Sequence, residues 1–498
     1  MHSLQSILLA TFSFTTSLAD AQAQPVVEQS TGFNSTFALS PFQVELGNLS
    51  SASATNINIV INFDRSQLAN GGPAEDSFYE LPPLSNTSAL RPGTLLKVQE
   101  VTDTMAFVIP PNTALSRILY TTTNYNGTVI PSSAFILWPF TPKKFQQGSP
   151  ECEGKGTTTK APVVLWTHGT SGFFASQGPS THRALWYGDA APFALALAGY
   201  AVVGPDYAGL GISKSWDGSE IPHQYLLSSA SAHDALYAMQ ASLEAFPDHL
   251  DDRFVSMGHS QGGGVAWGVA EVLAAEGDSE FRGLGKGYLG AIAGSPTTDV
   301  FSGLPEFILP WVSMVLRGIF PDFEMSNWLT PLGIARTQLL KELEGGIGVS
   351  TQFFLSGDQI IHEDYNNTWY ADAYGKIANV GRKAFKGPLL VIQGTQDSYI
   401  PYDVTTATVQ GTCDIDSGRD LEYLVVNGTA HVPTLDATRQ IWLKWIEDRF
   451  EGRAVEKSGC VRTDLASFLP LGRYQSVGNS FPQFAGLPQY NYQVPLGL

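Results

Sequence analysis

Cysteine is scarce, with three in 498 residues. That is too few for a disulfide framework to replace a hydrophobic core. An odd count allows at most one internal bridge and leaves one thiol. Cys413 and Cys460 flank the same C-terminal part of the chain and are the expected pair, with Cys152 left over. No Cys/His group has zinc-ligand spacing, so neither a metal nor any other cofactor is expected. Charge is scarce as well, at 15% of residues, and positive charge more so. Lys and Arg number 28 against 46 Asp and Glu, a net charge of −18. Such a surface repels phosphate backbones and excludes nucleic acid as a natural partner. No internal repeat is present. Beyond the first residues, no apolar run is long and uncharged enough to span a bilayer.

What remains is a globular composition, 43% hydrophobic and 11% aromatic. It can bury a sizeable core. The N-terminus, MHSLQSILLATFSFTTSLADAQAQP, reads as a secretory leader over 1–23. An apolar stretch from Leu4 to Leu18 runs into small residues, with cleavage expected after Ala21 or Ala23. Six N-x-S/T sequons, at Asn34, Asn48, Asn86, Asn126, Asn366 and Asn427, fit a secreted, glycosylated chain.

Residues 24–110 are rich in Ser, Thr, Asn and Pro and read as a wrapping segment with some strand. Within it, NINIVINF alternates polar and apolar, the pattern of a half-buried strand. Two strand-like runs then flank Asn126-Gly127, a strong hairpin signal. From residue 161 short apolar runs (APVVLWTHG, AVVGPDYAG, RFVSMGHS, YLGAIAGSP, GPLLVIQG, LEYLVVNG) alternate with helical segments. That alternation predicts an α/β fold over 111–295 and 387–450, with a mostly parallel sheet and helices on both faces. Between them, 296–386 is dense in aromatics such as Trp311, Phe320, Trp328 and Phe353. It reads as an inserted helical cap over an apolar pocket, although each of these residues fits plain packing too. The stretch 451–498 carries Pro and Gly without a period and reads as a wrapping tail.

The chemistry is carried by Gly258-His259-Ser260-Gln261-Gly262. A side chain on a sharp strand-to-helix turn needs small neighbours, which is the physical content of G-x-S-x-G. The turn presents the Ser260 hydroxyl at the C-terminal edge of the sheet, beside a helix N-terminus that favours negative charge. A serine hydroxyl needs a base, and the base needs an orienting acid. His431 in VVNGTAHVPT and Asp397 after PLLVIQGTQ each follow a strand, in the order Ser, Asp, His. Asp403 and Asp364 are reserves for the acid. Asp206 precedes Ser260 and reads as a structural turn residue. The other histidines, among them His168, His182, His223 and His259, are read as open to structural roles. An oxyanion needs preorganised donors, expected from the N–H of Gln261 and from Thr170 after VVLWTHG.

In this order, VLWTHGTSG, GYAVVGPDYAGLG, GHSQGGG and AGSP resemble the secretory lipase family of the α/β-hydrolase superfamily. DSFYELPP, RPGTLLKVQEV and SRILYTTTNYNGTVIPSSAFILWP resemble that family's N-terminal segment, so the likeness spans about 76–450. Gln261 departs from the small residue expected after the nucleophile. The resemblance implies cofactor-free hydrolysis of acyl esters outside the cell, with Ser260, Asp397 and His431 as triad and a cap at 296–386. The expected partner is a small-molecule or lipid ester, met at most transiently at a lipid interface. Two rivals keep the triad: acyl transfer or lactone formation on a secondary metabolite, and peptide hydrolysis, with Glu363 and Asp364 as amine anchors. A third, a non-catalytic binding protein, has no need of all three residues.

Overall fold

The computed structural model of the protein describes residues 36–84, 90–145, 160–275, 280–302 and 306–474. The leader, Asn34, Asn86 and Cys152 lie outside these residues. Two helices come first, α1 (Pro41–Leu46) and α2 (Ser51–Ser66). Strands β1 (Leu95–Gln99), β2 (Ala114–Thr123), β3 (Val129–Trp138) and β4 (Ala161–Thr167) follow, then α3 (Pro192–Leu197), β5 (Ala201–Pro205) and α4 (Ser228–Ala245). Next are β6 (Leu250–His259), α5 (Gln261–Ala274), α6 (Arg282–Gly287) and β7 (Tyr288–Gly294). Helices α7 (Leu309–Ile319), α8 (Pro331–Leu343), α9 (Ile347–Phe354) and α10 (Trp369–Ala378) intervene before β8 (Leu389–Gly394). The chain closes with α11 (Tyr402–Ile415), β9 (Leu421–Val426), α12 (Pro433–Ala437), α13 (Arg439–Phe450) and β10 (Cys460–Leu465).

The ten strands form one sheet in the order β1-β2-β3-β5-β4-β6-β7-β8-β9-β10. The first three pairings are antiparallel, including the hairpin predicted around Asn126-Gly127. Every pairing from β5 to β10 is parallel. A parallel sheet must be covered on both faces, because its crossover helices lie there. Strand β4 shows how: all seven of its residues are buried. Val163 and Leu165 pack in the layer with α4 and α5, while Val164 and Trp166 pack in the layer with α3 and α13. The expected α/β architecture is therefore observed.

Two local readings differ. The NINIVINF segment is part of helix α2, not a strand. Ser50 caps it by accepting the Ser53 N–H at 3.0 Å. Ile57, Val60 and Ile61 are buried together in the cluster that also holds the cap's aromatics. Their spacing of three and four is helical, and it prevails over the local alternation. Asn58 and Asn62 use their side-chain oxygens to hold the N–H groups of Leu39 and Phe37. The C-terminal stretch also contains a strand, where an aperiodic tail was expected. β10 adds to the sheet edge beside β9 from Cys460↔Leu421 to Leu465↔Val426. Its exposed Arg462 and Asp464 pair with each other, a charged rim of the kind that blunts a sheet edge.

Helices α7 to α10 stand where the cap was predicted. Arg336 of α8 is buried and ties the cap to the N-terminal helices. Its guanidinium donates to the carbonyls of Gly47, Asn48 and Phe353, to Ser356 Oγ and to Asp358. Among the described residues, no helix is long and apolar enough to cross a membrane. The four described sequon residues, Asn48, Asn126, Asn366 and Asn427, are all exposed.

Cys413 and Cys460 form a disulfide with Cα atoms 5.8 Å apart, closing a separation of 47 residues. It fastens α11 to the start of the edge strand β10. A loop of that length implies about 4 kcal/mol from restriction of the unfolded chain. The double change Cys413→Ser with Cys460→Ser is expected to lower the thermal midpoint by several degrees. Calorimetry checks this, and an unchanged midpoint contradicts it.

Candidate active site

The parallel strands place four loops on one edge of the sheet. Thr170 follows β4, Ser260 ends β6, Asp397 follows β8, and His431 follows β9. In a sheet of this kind the loops at the carboxyl ends of the strands form the binding crevice.

Ser260 occupies a strained turn, with φ 60° and ψ −123°. Backbone strain of this kind persists only where the surroundings hold it. The flanking glycines supply the room. A Cβ on Gly258 would lie 2.1 Å from the Gly262 carbonyl oxygen. One on Gly262 would lie 2.0 Å from the Thr167 carbonyl oxygen. Neither approach admits a side chain. The Thr167 hydroxyl adds a hydrogen bond to Gly262 O at 2.7 Å, and the Ser260 N–H donates to Gly294 O at 2.9 Å.

The expected acid and base are joined. His431 Nδ1 donates to Asp397 Oδ2 at 2.8 Å. The other carboxylate oxygen accepts the N–H groups of Tyr399 and Ile400 at 3.0 and 2.9 Å, and Gln393 Nε2 donates to Oδ2 at 3.1 Å. Burial by itself raises a carboxyl pKa. Here the opposing charge and hydrogen bond of His431, with the two backbone donors, outweigh burial and hold Asp397 below its usual range. The reserve acids Asp403 and Asp364 are exposed, and Asp397 alone of the three carboxylates bonds His431. Asp206 is fully buried and bonds Ser133 and Ser180, as a structural residue does. Glu363 and Asp364 are exposed on the cap.

Ser260 meets the pair through its own neighbour. His259 Nε2 donates to the His431 carbonyl oxygen at 3.0 Å, and the two rings lie 4.5 Å apart. Ser260 Oγ itself forms no hydrogen bond among the described residues.

The Thr170 and Gln261 positions are linked by an ordered chain of donors. Tyr225 OH lies 3.2 Å from Thr170 Oγ1, which donates to Gln261 Oε1 at 3.2 Å. Gln261 Nε2 lies 3.1 Å from His223 Nε2, and His223 Nδ1 lies 3.1 Å from Ala208 O. A carbonyl only accepts, so His223 carries its proton on Nδ1 and accepts the glutamine amide. Burial drives its pKa down to about 3, which keeps the ring neutral. Gln261, out of place by comparison with a small residue, thus has its whole side chain occupied and directed to Thr170 and His223. Trp311 packs edge-on against Tyr225 at 5.1 Å. Trp328 and Phe353 are fully buried inside the cap, where they pack as core.

His259, read from sequence as open to a structural role, is a structural link, and sequence reasoning did not foresee its partner Tyr187. The His259 Nδ1 accepts from Tyr187 OH at 2.9 Å. Tyr187 ends a run of three left-handed residues, Leu185 (φ 52°), Trp186 (φ 25°) and Tyr187 (φ 68°). No residue in that run is a glycine or asparagine, so nothing in the sequence announces the bend that brings Tyr187 to the site. Among the described residues, no group of three or more His, Cys, Asp and Glu stands ready for a metal ion.

The family model described as "Alpha/beta hydrolase family" matches residues 163–441. Among solved structures, the chain is similar to Candida antarctica lipase A in its closed state. Identity is 17%, over 78% of this chain and 88% of that one, with a TM-score of 0.59. It is also similar to the rice cell wall degrading esterase LipA from Xanthomonas oryzae. There identity is 17%, over 72% of this chain and 98% of that one, with a TM-score of 0.53. No curated protein matches the chain in sequence. At these identities the likeness is one of fold.

Burial lowers the His259 pKa to about 3, so the ring remains neutral through mildly acidic pH. Its ordinary value is 6.5. Its contribution to stability is therefore full above pH 6.5 and is lost as pH falls from 6.5 toward 3, where only the unfolded chain takes up the proton. An NMR titration of the ring is expected to show no protonation step between pH 8 and 4. A midpoint near 6.5 contradicts the buried, doubly bonded placement.

Proposed function

The chain belongs to the alpha/beta hydrolase family, and on that premise we propose that it is a secreted serine ester hydrolase of the lipase and esterase kind. The observation that carries this reading is the His431 Nδ1 to Asp397 Oδ2 hydrogen bond of 2.8 Å, with the His431 carbonyl anchored by His259, the residue beside Ser260. His431, held in one tautomer by Asp397, takes the Ser260 proton as the hydroxyl attacks the ester carbonyl. The backbone N–H groups of Gln261 and Thr170 receive the developing oxyanion. His431 then gives the proton to the leaving alcohol, and a water activated by the same ring releases the acid from the acyl-enzyme.

Several features support individual roles. Ser260 lies at the start of α5, whose first-turn N–H groups and dipole favour an oxyanion. The depressed Asp397 pKa keeps the carboxylate charged at the pH where it must stabilise an imidazolium. Secretion is supported by the leader-like N-terminus, by the disulfide and by the exposed sequons.

A p-nitrophenyl ester series from acetate to palmitate tests the reading. The wild type is expected to hydrolyse part of the series, and Ser260→Ala to abolish turnover by on the order of 10⁶. Asp397→Asn leaves the geometry but frees the wrong tautomer, and is expected to cost about 10⁴ in kcat. A wild type inert to every member, or a Ser260→Ala variant that retains activity, defeats the proposal.

A further inference from the structure

Apart from the triad, one cavity brings ionisable, hydroxyl and aromatic walls together. It lies between α2, the α8–α9 connection and the turn after β4, and it encloses about 330 Å³. Pockets for small molecules run from about 300 to 1,000 Å³, so this one suits a compact group. Its walls include Asp64, Ser171, His182, Trp186, Glu342 and Ile347.

The polar wall is not satisfied by the protein itself. Ser171 Oγ is buried and has no hydrogen-bond partner. A buried hydroxyl left unpaired is unfavourable and gains from a partner. Asp64 accepts the Gly346 N–H, and burial raises its carboxyl to about 7. Near neutral pH that group both donates and accepts. His182 is kept neutral by burial, with its pKa lowered to about 4. The Trp186 indole N–H is already given to Thr170 O at 3.2 Å, so its ring offers an apolar face.

The turn after β4 that walls the cavity also passes beside Ser260. A Cβ on Gly169 would stand 3.4 Å from Ser260 Cβ. Ser171 is two residues further along the same turn, a span of roughly 7 Å at most. Trp186 immediately precedes Tyr187, which bonds His259.

We propose that this cavity is the subsite for a hydroxyl-rich alcohol half of the ester, a single sugar ring or a comparable polyol. Ser171 and Asp64 are its hydrogen-bond partners and Trp186 its apolar wall. This rests on the ester-hydrolase reading of Ser260. An alkyl group in the same space leaves the Ser171 hydroxyl unpaired and strips water from Asp64. A cationic group meets Arg65 and Lys341 in the walls, and an anionic one meets Asp64 and Glu342. A hydroxylated ring alone pairs the polar wall while covering the apolar one.

The test compares kcat/KM on 6-O-butanoyl glucose and on butyl butanoate for wild type, Ser171→Ala and Asp64→Asn. Each variant is expected to lose about tenfold on the sugar ester, the worth of one hydrogen bond, mostly through KM. Butyl butanoate turnover is expected to stay within about twofold, since neither side chain faces an alkyl alcohol. Ser171→Ala removes an unpaired buried hydroxyl, so its thermal midpoint is expected at or above that of the wild type. Equal losses on both esters, no loss on the sugar ester, or a wild type that cleaves only butyl butanoate overturns the proposal. A wild type that cleaves p-nitrophenyl esters but neither of these also overturns the proposal, whereas one that cleaves neither these nor any p-nitrophenyl ester defeats the ester-hydrolase reading instead. The sugar site is then judged by saturation-transfer NMR with methyl β-glucoside. Transfer to the wild type that vanishes in Ser171→Ala supports the site, and no transfer to the wild type overturns it.

Discussion

The contact on which the site depends is between the first turn of α5 and the end of β4. Gly262 sits so close to the Thr167 carbonyl that no Cβ fits between them. The Thr167 hydroxyl closes the gap by bonding Gly262 O. This approach fixes three things at once. It forces Ser260 into its strained turn, aims the first turn of α5 at the sheet edge, and sets the turn carrying Gly169 to Ser171 beside Ser260. A methyl group at Gly258 or Gly262 separates the two strands' ends, and each of those consequences fails together.

Around that contact the site is built with neutral histidines. His168, His223 and His259 are fully buried, and burial drives their pKa values to about 4, 3 and 3. His223 and His259 each serve as a two-ended hydrogen-bond connector, not as a charge, while neutral His168, set between the Gly169 and Asp206 carbonyls, donates to one of them. His259 joins Tyr187 to the His431 backbone, and His223 joins Ala208 to the Gln261 side chain. A charged connector next to His431 would oppose protonation of that ring, which the proposed mechanism requires. The buried carboxyls work in the opposite direction with pH. Asp206 and Asp234 are raised by burial to about 6, and Glu271 to about 7. They bind protons in the fold before the unfolded chain does, so they add stability as pH falls through that range. The histidines lose it over the same range, and acid tolerance is the balance of the two sets.

The sequence displayed the sheet and its edge clearly, because parallel strands buried on both faces appear as short apolar runs and strand order forces loops onto a common rim. The common edge that carries Ser260, Asp397 and His431 was legible from order and placement, and Asp397 bonds His431. The Cys413–Cys460 pairing was legible because only the C-terminal part of the chain held two cysteines. The α2 segment misled because Ile57, Asn58, Ile59, Val60, Ile61 and Asn62 satisfy a period of 2 locally, while Ser50 capping and burial against the cap decide for the helix. Strand β10 was invisible because an exposed edge strand tolerates Arg462 and Asp464 and carries little apolar signal. The bend at 185–187 was invisible because packing imposes it on residues that do not favour it.

The cap and the reacting edge are not independent parts. Gln177 joins them with one side chain. Its Oε1 accepts the N–H groups of Phe173 and Phe174, in the same turn as Thr170 and Ser171, and its Nε2 donates to Glu344 O of the cap at 2.7 Å. Gly172 must be a glycine for this, since a Cβ there would fall 1.9 Å from that Oε1. The cap segment in turn meets α2 where the Gly346 N–H bonds Asp64, and Arg336 holds the α1–α2 connection. The turn that presents the oxyanion donor, the wall of the polar cavity and the seat of the cap are therefore set by one short run of hydrogen bonds. Any displacement of the cap moves Glu344 and Gly346 away from Gln177 and Asp64, and so opens the cavity and loosens the Phe173–Phe174 end of the turn together. Under the proposed reading, substrate selection and oxyanion geometry are coupled because they share that backbone, not because a signal passes between distant sites.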